Sequence, residues 1–369
     1  MAIAVLDIGK TNAKVLLVSE DGRELDARRT PNAVRPGPPY PHFDAEALWA
    51  FALDALRSFA PQVRAIVPVT HGACAALLRA DGTLALPVLD YEHAPPDMRD
   101  GYDPPPFAET GSPPLPGGLN VGVQLHWLER TLPDAFAQTE HLLFWPQWWA
   151  FRLTGRMASE RTSLGCHTDL WNPHADRPST LAGTLGRDRL LAPLRHAGET
   201  LGTITPDVAE ATGLDPATPV LTGIHDSNAS LLPYLSRAPC GVLSTGTWVI
   251  AMALGGAAVA LDPRRDTLLN VAADGRPVPT ARFMGGRERD EAIAAGTYRD
   301  EADAAVARRA AERLAEIGNR GPIHVEGPFG TSAVFLSTLR QETGVDVHAA
   351  GPGAGTTMGA AILASRRSS

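Results

Sequence analysis

Thr222-Gly-Ile-His-Asp-Ser-Asn-Ala-Ser230, near the middle of the chain, is the stretch from which the fold can be predicted. The apolar run before it, Pro219-Val-Leu221, is typical of a buried strand, and Leu231-Leu232 after it favour a helix. Asp226 is therefore predicted where a strand gives way to a helix. The helix dipole and the free amide groups of the first turn hold a carboxylate ionised there. Such a carboxylate is either a catalytic base or an ordinary helix N-cap.

Two turns rich in glycine and threonine favour the catalytic interpretation. The first, Asp7-Ile-Gly-Lys-Thr-Asn12, separates the apolar runs Ile3–Leu6 and Lys14–Val18, which predict two strands. The second, Thr245-Gly-Thr247, is enclosed by apolar runs in the same way. This repetition predicts a duplicated architecture with two loops that face phosphate.

The first turn has the chemistry of a phosphate-binding loop. Gly9 allows close approach of the backbone, and Thr11 and Asn12 offer polar side chains. Lys10 and the nearby Lys14 supply positive charge. Asp7 could hold a magnesium ion through water. The alternative is a polar hairpin turn without a ligand.

Composition excludes several functional classes. The 369 residues suggest about two domains, and the net charge of −8 disfavours nucleic acid and anionic membranes as partners. Cys74, Cys166 and Cys240 are far apart and include no CxxC pair, so neither a disulfide framework nor a zinc site is predicted. With no signal peptide or membrane span visible in the sequence, we expect a cytoplasmic protein.

Other segments complete the predicted elements of the first half. Asp44–Phe59 has the periodicity of an amphipathic helix, and Val63–Val69 predicts a buried strand that ends in Thr70-His71-Gly72. Polar groups at the carboxyl end of a strand often contact ligands, although His71 could instead be a buried, satisfied histidine. The segment Leu77–Leu89, with Asp81-Gly82 inside it, predicts a hairpin.

Several further segments are interpreted from their composition. The aromatic stretch Leu142–Leu153 indicates core rather than a platform for stacking sugars. Met284-Gly-Gly286 is interpreted as a chain breaker, and Glu301–Ile317 as an amphipathic helix. Ile323–Glu326 predicts a short strand, followed by the glycine-bearing turn Gly327–Thr331.

Five motifs taken together resemble the FGGY family of carbohydrate kinases, which belongs to the sugar kinase/actin superfamily. They are Asp7-x-Gly-x-Thr11, Gly223-x-His-Asp226, Ser244-Thr-Gly-Thr247, Gly327…Gly330 and Gly359-Ala-Ala361. The resemblance covers nearly the whole chain and is closest to rhamnulose, fuculose and xylulose kinases. It implies an α/β fold of two RNase H-like (actin/hexokinase-type) domains, residues 1–221 and 222–369, with an active-site cleft between them.

The resemblance also implies roles for individual residues. Asp226 is similar to the general base of the family, and Asp7 to its magnesium-associated carboxylate. The residues implied in sugar binding are His71, Gly72, Asp90, Gln124 and His225. Those implied in nucleotide binding are Gly9, Thr11, Asn12, Lys14, Gly246, Thr247, Gly327 and Ser332. Gly327-Pro-Phe329 stands where the family has a double glycine, which leaves the choice of nucleotide open.

The implied reaction is phosphorylation of a primary hydroxyl of a neutral sugar by ATP with Mg²⁺. No Arg or Lys lies within Thr70–Cys74 or Thr222–Ser230, so an acidic sugar is poorly served. We therefore expect a neutral ketose similar to L-rhamnulose, L-fuculose or xylulose, with a homodimer left open. Two alternatives remain. One is an ATPase or other phosphotransferase of the same superfamily with a non-sugar substrate, and the other is a non-catalytic sugar or nucleotide sensor.

Overall fold

The computed structural model describes residues 2–184, 186, 188–351 and 355–365, and these form two compact units. The first comprises the chain up to Leu232, together with Val271–Arg276 and the segment that begins at Thr356. The second comprises Pro233–Asn270 and Pro277–Gly355. Packing thus groups Asp226 with the first unit, while the domain ranges 1–221 and 222–369 stay a prediction.

The first unit is a mixed α/β structure. Its strands are β1 (Ala2–Ile8), β2 (Asn12–Val18), β3 (Glu24–Pro31), β4 (Val34–Arg35), β5 (His42–Phe43), β6 (Val63–Thr70), β7 (Ala75–Leu78), β8 (His141–Phe144), β9 (Ser159–Glu160), β10 (Trp171–Asn172), β11 (Arg177–Pro178), β12 (Leu194–Arg195), β13 (Thr200–Thr203), β14 (Pro219–Leu221) and β15 (Ile224–His225). Its helices up to the central motif are α1 (Ala45–Phe59), α2 (Phe107–Thr110), α3 (Val121–Thr131), α4 (Pro133–Phe136), α5 (Trp145–Thr154), α6 (Arg161–Leu164), α7 (Thr180–Thr184), α8 (Pro206–Thr212) and α9 (Asp226–Leu231). Short 3₁₀ turns cover Ala60–Gln62 and Asp188–Leu190, and another, Leu232–Arg237, follows α9.

The main sheet of this unit has the strand order β13-β14-β6-β1-β2-β3. β1 and β2 are the two strands predicted around the first turn, and β3 extends them into an antiparallel meander. β6 then runs parallel to β1, and both β14 and β15 run parallel to β6. The carboxyl ends of β1, β6 and β15 therefore lie at the same edge of the sheet.

The predicted helix and aromatic core are confirmed. α1 begins after Asp44, whose carboxylate accepts a hydrogen bond of 3.2 Å from the N–H of Ala47. Trp145, Trp148 and Trp149 are fully buried in the core on the same side as this helix. Because their rings pack on one another inside the core, they offer no surface on which a sugar could stack.

The predicted hairpin within Leu77–Leu89 forms around its turn, and its first strand has a second, distant partner. β7 pairs antiparallel with β8, which lies about sixty residues further along the chain, as in the pair Leu77↔Leu142. Across the turn, the N–H of Ala85 donates to the carbonyl of Leu77 and the N–H of Arg79 donates to that of Thr83, both at 2.8 Å, and Leu84 bridges to Leu78. An apolar run predicts a strand but does not identify its partner, and here a distant partner fills the ladder.

The second unit repeats the plan of the first. Its strands are β16 (Cys240–Thr245), β17 (Val249–Leu254), β18 (Thr267–Val271), β19 (Pro277–Phe283), β20 (Ile323–Glu326) and β21 (Val347–Ala349). Its helices are α10 (Gly285–Ala294), α11 (Arg299–Glu316) and α12 (Ala333–Thr343), with 3₁₀ turns at Pro263–Arg265 and Pro328–Thr331. In the order β18-β19-β17-β16-β20-β21, antiparallel strands are again followed by parallel ones, so the predicted duplication is confirmed.

The interpretation of Met284-Gly-Gly286 as a breaker is right in that β19 ends at Phe283, and wrong for the two glycines, since α10 begins at Gly285. A Cβ atom at Gly286 would lie 1.9 Å from the carbonyl oxygen of Gly246. The glycine thus allows the start of the helix to pack against the turn after β16. Its absent side chain serves close approach rather than chain breaking.

The last described helix, α13 (Thr356–Ser365), belongs to the first unit and packs against α9. A Cβ atom at Gly359 would lie 2.0 Å from the carbonyl oxygen of Ala229, so the two backbones are in direct contact. No helix within the described ranges combines the length and the hydrophobicity that crossing a bilayer requires.

Candidate functional site

Three predicted residues meet at the edge where β1, β6 and β15 end. Asp7 of β1 is in register with Val69 of β6, and β15 pairs beside Thr70, the last residue of β6. His71 follows directly, and its N–H donates to the carbonyl of Ile8 at 3.0 Å. Asp7, His71 and Asp226 are thus brought together from distant parts of the sequence, at the position where parallel α/β sheets hold ligands.

Asp7 is a buried carboxylate with a cation beside it. Its side chain is 16% exposed, and its Oδ2 lies 3.4 Å from the Nζ of Lys14. Burial raises the pKa of Asp7, the charge of Lys14 lowers it, and the charge of Asp226 raises it further. The predicted magnesium carboxylate and the predicted phosphate lysine are therefore an ion pair.

Asp226 is the first residue of α9, and His225 occupies the N-cap position. The N-cap alternative for Asp226 is therefore wrong. The Oδ1 atom of Asp226 accepts a hydrogen bond of 2.6 Å from the N–H of Ser227. Burial raises the pKa of Asp226 nevertheless, and the interactions with His71 and Ser227 oppose that rise only in part. The helix terminus thus does not keep this carboxylate at its ordinary acidity, and a raised pKa suits a general base.

His71 is buried and keeps one ring nitrogen free of protein partners. Its Nδ1 lies 2.9 Å from the carbonyl oxygen of Gly72. A carbonyl only accepts, so Nδ1 carries the hydrogen and Nε2 has a lone pair. Within the described ranges, Nε2 is buried without a hydrogen-bond partner. Burial lowers the pKa of His71, which keeps the ring neutral at neutral pH. The free lone pair can accept a hydrogen bond from a hydroxyl group.

His225 lies beside this histidine, and Gly72 makes room for it. A Cβ atom at Gly72 would be 2.9 Å from Nε2 of His225 and 3.1 Å from the sulfur of Cys166. The Nε2 atom of His225 is 3.2 Å from Oδ1 of Asp226, and Nδ1 is 2.9 Å from the amide nitrogen of Asn228. His225 therefore contacts the carboxylate directly.

Asp90 is engaged by a lysine of the first turn. Nζ of Lys10 lies 2.5 Å from Oδ1 of Asp90 and 3.4 Å from a carboxylate oxygen of Glu92. The same ammonium group lies over the rings of Phe43 and Tyr91, at 5.0 and 5.2 Å from their centroids. Sequence analysis assigned Lys10 to phosphate, but the structure pairs it with predicted sugar-binding Asp90.

Gln124 is buried and contacts the backbone through its side-chain amide. It is 2% exposed, and its Nε2 donates to the carbonyls of Ala73 and Gly118 at 2.6 and 2.5 Å. Its amide nitrogen is therefore used to hold two turns in place. A sugar-binding role for Gln124 stays a prediction.

Two buried residues next to the site were missed by sequence analysis. Glu160 is 1% exposed, and its Oε2 accepts from the N–H and hydroxyl of Thr162 at 2.9 and 2.5 Å. The same hydroxyl oxygen accepts from the N–H of His225 at 3.2 Å. Glu160 is the N-cap of α6, although Glu is not among the residues favoured there, so the sequence gives no capping signal. The link of Thr162 to His225 is a long-range contact that no local pattern reveals.

The remaining residues of the first turn form a tight hairpin. The N–H of Gly9 donates to the carbonyl of Asn12 at 2.9 Å, and the amide of Asn12 donates to the hydroxyl of Thr11 at 3.1 Å. Thr11 and Asn12 are exposed. Their side chains are accessible to a phosphate group, and their role stays a prediction.

The second unit brings its predicted nucleotide residues onto neighbouring turns. Gly246 and Thr247 form the turn between β16 and β17. The hydroxyl of Thr245 donates to the carbonyl of Glu326 and accepts from the N–H of Phe329. Gly327 has a φ of +81°, and a Cβ atom there would lie 2.0 Å from the carbonyl oxygen of Thr245. Only glycine fits this close approach.

Ser332 is the N-cap of α12, with its Oγ 3.2 Å from the N–H of Phe335. The same hydroxyl donates to Asp303 at 2.7 Å. Both interactions stabilise the start of the helix. A nucleotide contact of Ser332 stays a prediction.

The residues at the strand ends fit magnesium bound together with a nucleotide. Within the described ranges, no cluster of three or more His, Cys, Asp or Glu side chains is arranged to hold a metal ion by itself. Magnesium in kinases is held by one or two carboxylates, with phosphates and water as its other ligands. Asp7, close enough to Asp226 for their charges to interact, supplies such a carboxylate.

Two sequence profiles match the chain. The N-terminal domain of the FGGY family of carbohydrate kinases matches residues 107–233, and the FGGY carbohydrate kinase C-terminal domain matches residues 237–312 and 302–369. Among curated proteins, L-fuculokinase of Salmonella typhi is 28% identical over 267 residues, which cover 69% of this chain and 57% of that protein. The chain thus aligns with less than two thirds of the length of such relatives.

Solved structures match over a larger share of their length. A carbohydrate kinase from Novosphingobium aromaticivorans is 39% identical with a TM-score of 0.91, and the match covers 98% of this chain and 91% of that one. Xylulose kinase from Rhodospirillum rubrum has a TM-score of 0.79 at 18% identity, with 99% and 90% covered, and shows a shared fold.

Proposed function

Because the chain belongs to the FGGY family of carbohydrate kinases, we propose that it transfers the γ-phosphoryl group of ATP to a primary hydroxyl of a neutral ketose. The observation that supports this best is the site at the ends of β1, β6 and β15. There the buried, unpartnered Nε2 of His71 lies next to Asp226, a carboxylate with a raised pKa. One group can bind a hydroxyl and the other can take its proton.

In the proposed reaction, the sugar hydroxyl attacks the γ-phosphorus of ATP. The new oxygen–phosphorus bond forms, the bond from phosphorus to the β-phosphate oxygen of ADP breaks, and the hydroxyl proton passes to Asp226. His71 accepts a hydrogen bond from another hydroxyl and so orients the sugar. Asp7 would hold Mg²⁺, which lowers the energy of the charge that develops on the phosphates.

The nucleotide is assigned to the second unit on the same basis. We propose that the turn of Gly246 and Thr247 contacts the phosphates, and that Gly327 leaves space for the nucleoside. For the first unit, Gly9, Thr11 and Lys14 of the first turn are proposed as phosphate-binding residues. Backbone N–H groups in such glycine turns are well suited to phosphate oxygens.

The substrate class follows from the charge at the site. Burial keeps His71 and His225 neutral at pH 7, and Lys10 is neutralised by Asp90. Neutral donors and acceptors suit hydroxyl groups better than a carboxylate or a phosphate. Relatives named L-fuculokinase, rhamnulokinase and xylulose kinase match this chain, which favours a ketose of five or six carbons.

The decisive experiment is a coupled ADP-release assay with L-fuculose-, L-rhamnulose- and xylulose-type ketoses, glycerol and a sugar acid. We expect one neutral ketose to give the highest kcat/KM. Asp226→Asn should lower kcat by roughly 10²-fold or more, because the base is lost while the shape is kept. The matched control, Asp54→Asn, changes an exposed aspartate of α1 and should have no effect.

Two outcomes would contradict the proposal. ATP hydrolysis that no sugar accelerates would favour the ATPase alternative, and nucleotide binding without turnover would favour a sensor. A cytoplasmic location and a homodimer are further parts of the proposal. The three cysteines are buried and form no disulfide with one another, which suits a reducing compartment. Light scattering of the purified protein would determine the oligomeric state.

A further inference from the structure

Both ring nitrogens of His225 are engaged by side chains of the same short segment. The ring is almost fully buried. Its Nδ1 lies 2.9 Å from the Nδ2 atom of Asn228. Its Nε2 lies 3.2 Å from Oδ1 of Asp226, which is an ion-pair distance, and 3.6 Å from the sulfur of Cys166. Burial lowers the pKa of His225 to about 4, so the ring carries a single hydrogen at neutral pH.

The partner of Nδ1 decides which nitrogen carries that hydrogen. The amide nitrogen of Asn228 only donates, so Nδ1 must accept and Nε2 must carry the hydrogen. The reversed amide would present its oxygen and move the hydrogen to Nδ1. A lone pair on Nε2 would then face an oxygen of Asp226 at 3.2 Å, which an ionised carboxylate disfavours. The thiol of Cys166, 3.6 Å from Nε2, is compatible with either arrangement because it can donate or accept. The contact with Asp226 therefore favours the orientation with the nitrogen of Asn228 toward the ring.

We propose that Asn228 fixes the tautomer of His225, and that the hydrogen on Nε2 of His225 attracts the nearby Oδ1 atom of Asp226, so that Oδ2 receives the proton of the substrate. This inference rests on the proposed function, in which Asp226 is the general base. His225 and Asn228 are then positioning residues. His225 was predicted from the sequence to bind the sugar, whereas both of its nitrogens are used within the protein.

The contacts of Asp226 also distinguish its two carboxylate oxygens. Oδ1 accepts hydrogen bonds from the N–H of Ser227 at 2.6 Å and from its hydroxyl at 3.3 Å. Nε2 of His225 lies 3.2 Å from the same oxygen. In the part of the chain that the structure describes, no hydrogen-bond donor reaches Oδ2. The side chain is 32% exposed, so a substrate hydroxyl can approach this second oxygen.

The backbone of His225 is held as firmly as its ring. Its N–H donates to the hydroxyl of Thr162 at 3.2 Å, and β15 pairs with the last residues of β6. His71, on the neighbouring strand end, has the opposite tautomer, because its Nδ1–H donates to a carbonyl. One histidine therefore offers a lone pair to the substrate and the other offers a hydrogen to the base.

The tautomer can be measured without any turnover. Long-range ¹H–¹⁵N spectra of protein labelled with ¹⁵N-histidine distinguish a protonated from an unprotonated ring nitrogen, and His225→Gln identifies the signals of His225. We expect hydrogen on Nε2 and a bare Nδ1 in the wild type. Asn228→Asp replaces the donor by an acceptor and should place a hydrogen on Nδ1. Hydrogen on Nδ1 alone at His225 of the wild-type protein would overturn the proposal, even if Asn228→Asp failed to fold.

Kinetics with the phosphorylated ketose test the positioning role. His225→Met removes the donor and should lower kcat by roughly 10- to 100-fold with a smaller change in the KM of the sugar. The amide nitrogen of Gln reaches the place of Nε2, so His225→Gln should recover most of kcat. Ser230→Ala, on the same helix, is the control.

Two kinetic results would contradict the proposal. Equal losses of kcat in the Gln and Met variants would show that the donated hydrogen is unimportant. A raised KM of the sugar with unchanged kcat would indicate that His225 binds the sugar. If instead no ketose is phosphorylated by the wild type, the proposed function fails, while the spectra still report the tautomer.

Discussion

Glu160→Gln tests how a buried carboxyl group next to the site makes stability depend on pH. The side chain is 1% exposed, and burial raises the pKa of Glu160 from 4.5 to about 7. Its Oε2 accepts hydrogen bonds from Thr162 and Ser163, which a glutamine carbonyl can also accept. The substitution therefore removes the titration while it keeps the cap of α6.

The direction of the pH dependence follows from the pKa values of Glu160 in the unfolded and the folded protein. Between pH 4.5 and about 7 the folded protein holds a proton that the unfolded chain has released. The contribution of Glu160 is fully present below pH 4.5 and is lost as the pH rises through about 7. At roughly 1.4 kcal/mol per pH unit, the interval corresponds to a total loss of about 3 kcal/mol. The glutamine variant lacks this loss, so its stability relative to wild type should increase by about 2 to 3 kcal/mol between pH 5 and pH 8.

Urea or thermal denaturation at pH 5, 6, 7 and 8, followed by tryptophan fluorescence, measures this difference. With about 2–4 °C per kcal/mol for a unit of this size, the relative Tm of the variant should rise by roughly 5–10 °C across the range. Glu210→Gln, on the exposed side of α8, is the matched control. If Glu160→Gln and wild type show the same pH dependence, the carboxyl group is not protonated in the native state and the reasoning fails.

Three further expectations concern the site itself. Gly72→Ala should lower kcat and cost roughly 1–3 kcal/mol of stability, because the new methyl group meets His225; an unchanged kcat would contradict this. Lys10→Met should destabilise the protein by roughly 3 kcal/mol and raise KM for the sugar more than for ATP, since Asp90 loses its partner. A larger increase of KM for ATP than for the sugar would indicate that Lys10 binds phosphate. Burial raises the pKa of Asp226, so the apparent pKa on the acid side of the kcat–pH profile should lie above 3.8, the ordinary value for aspartate. An apparent pKa of 3.8 or below would show that burial does not raise the pKa of Asp226.

The fold was predictable from the sequence where local pattern and tertiary packing agree. The meander after Asp7, the helix after Asp44 and the aromatic core around Trp148 all have periodicities that the structure confirms. The pairing of β7 with β8 was not predictable, because side-chain alternation does not identify a partner strand. The function of Gly286 was likewise hidden, since a glycine needed for close approach and a chain breaker have the same sequence.

The site was predictable as a set of residues but not as a set of interactions. Asp7, His71 and Asp226 were found because each follows a predicted strand. The pairing of Lys10 with Asp90 joins residues eighty positions apart, and nothing in either segment indicates the other. Asn228 was within the quoted central motif, yet its contact with His225 depends on the turn of a helix only six residues long.

The packing of α13 against α9 has a consequence for the order in which the protein acquires its activity. α9 carries Asp226, and the ribosome delivers it long before Gly359, whose absent side chain lets the two backbones touch. During synthesis, the helix with the proposed base therefore waits for a partner that is made much later. A nascent chain that has already formed β1, β6 and β15 still lacks this support. We therefore expect catalytic activity to appear late in translation, only after the early and late segments of the first unit have packed together.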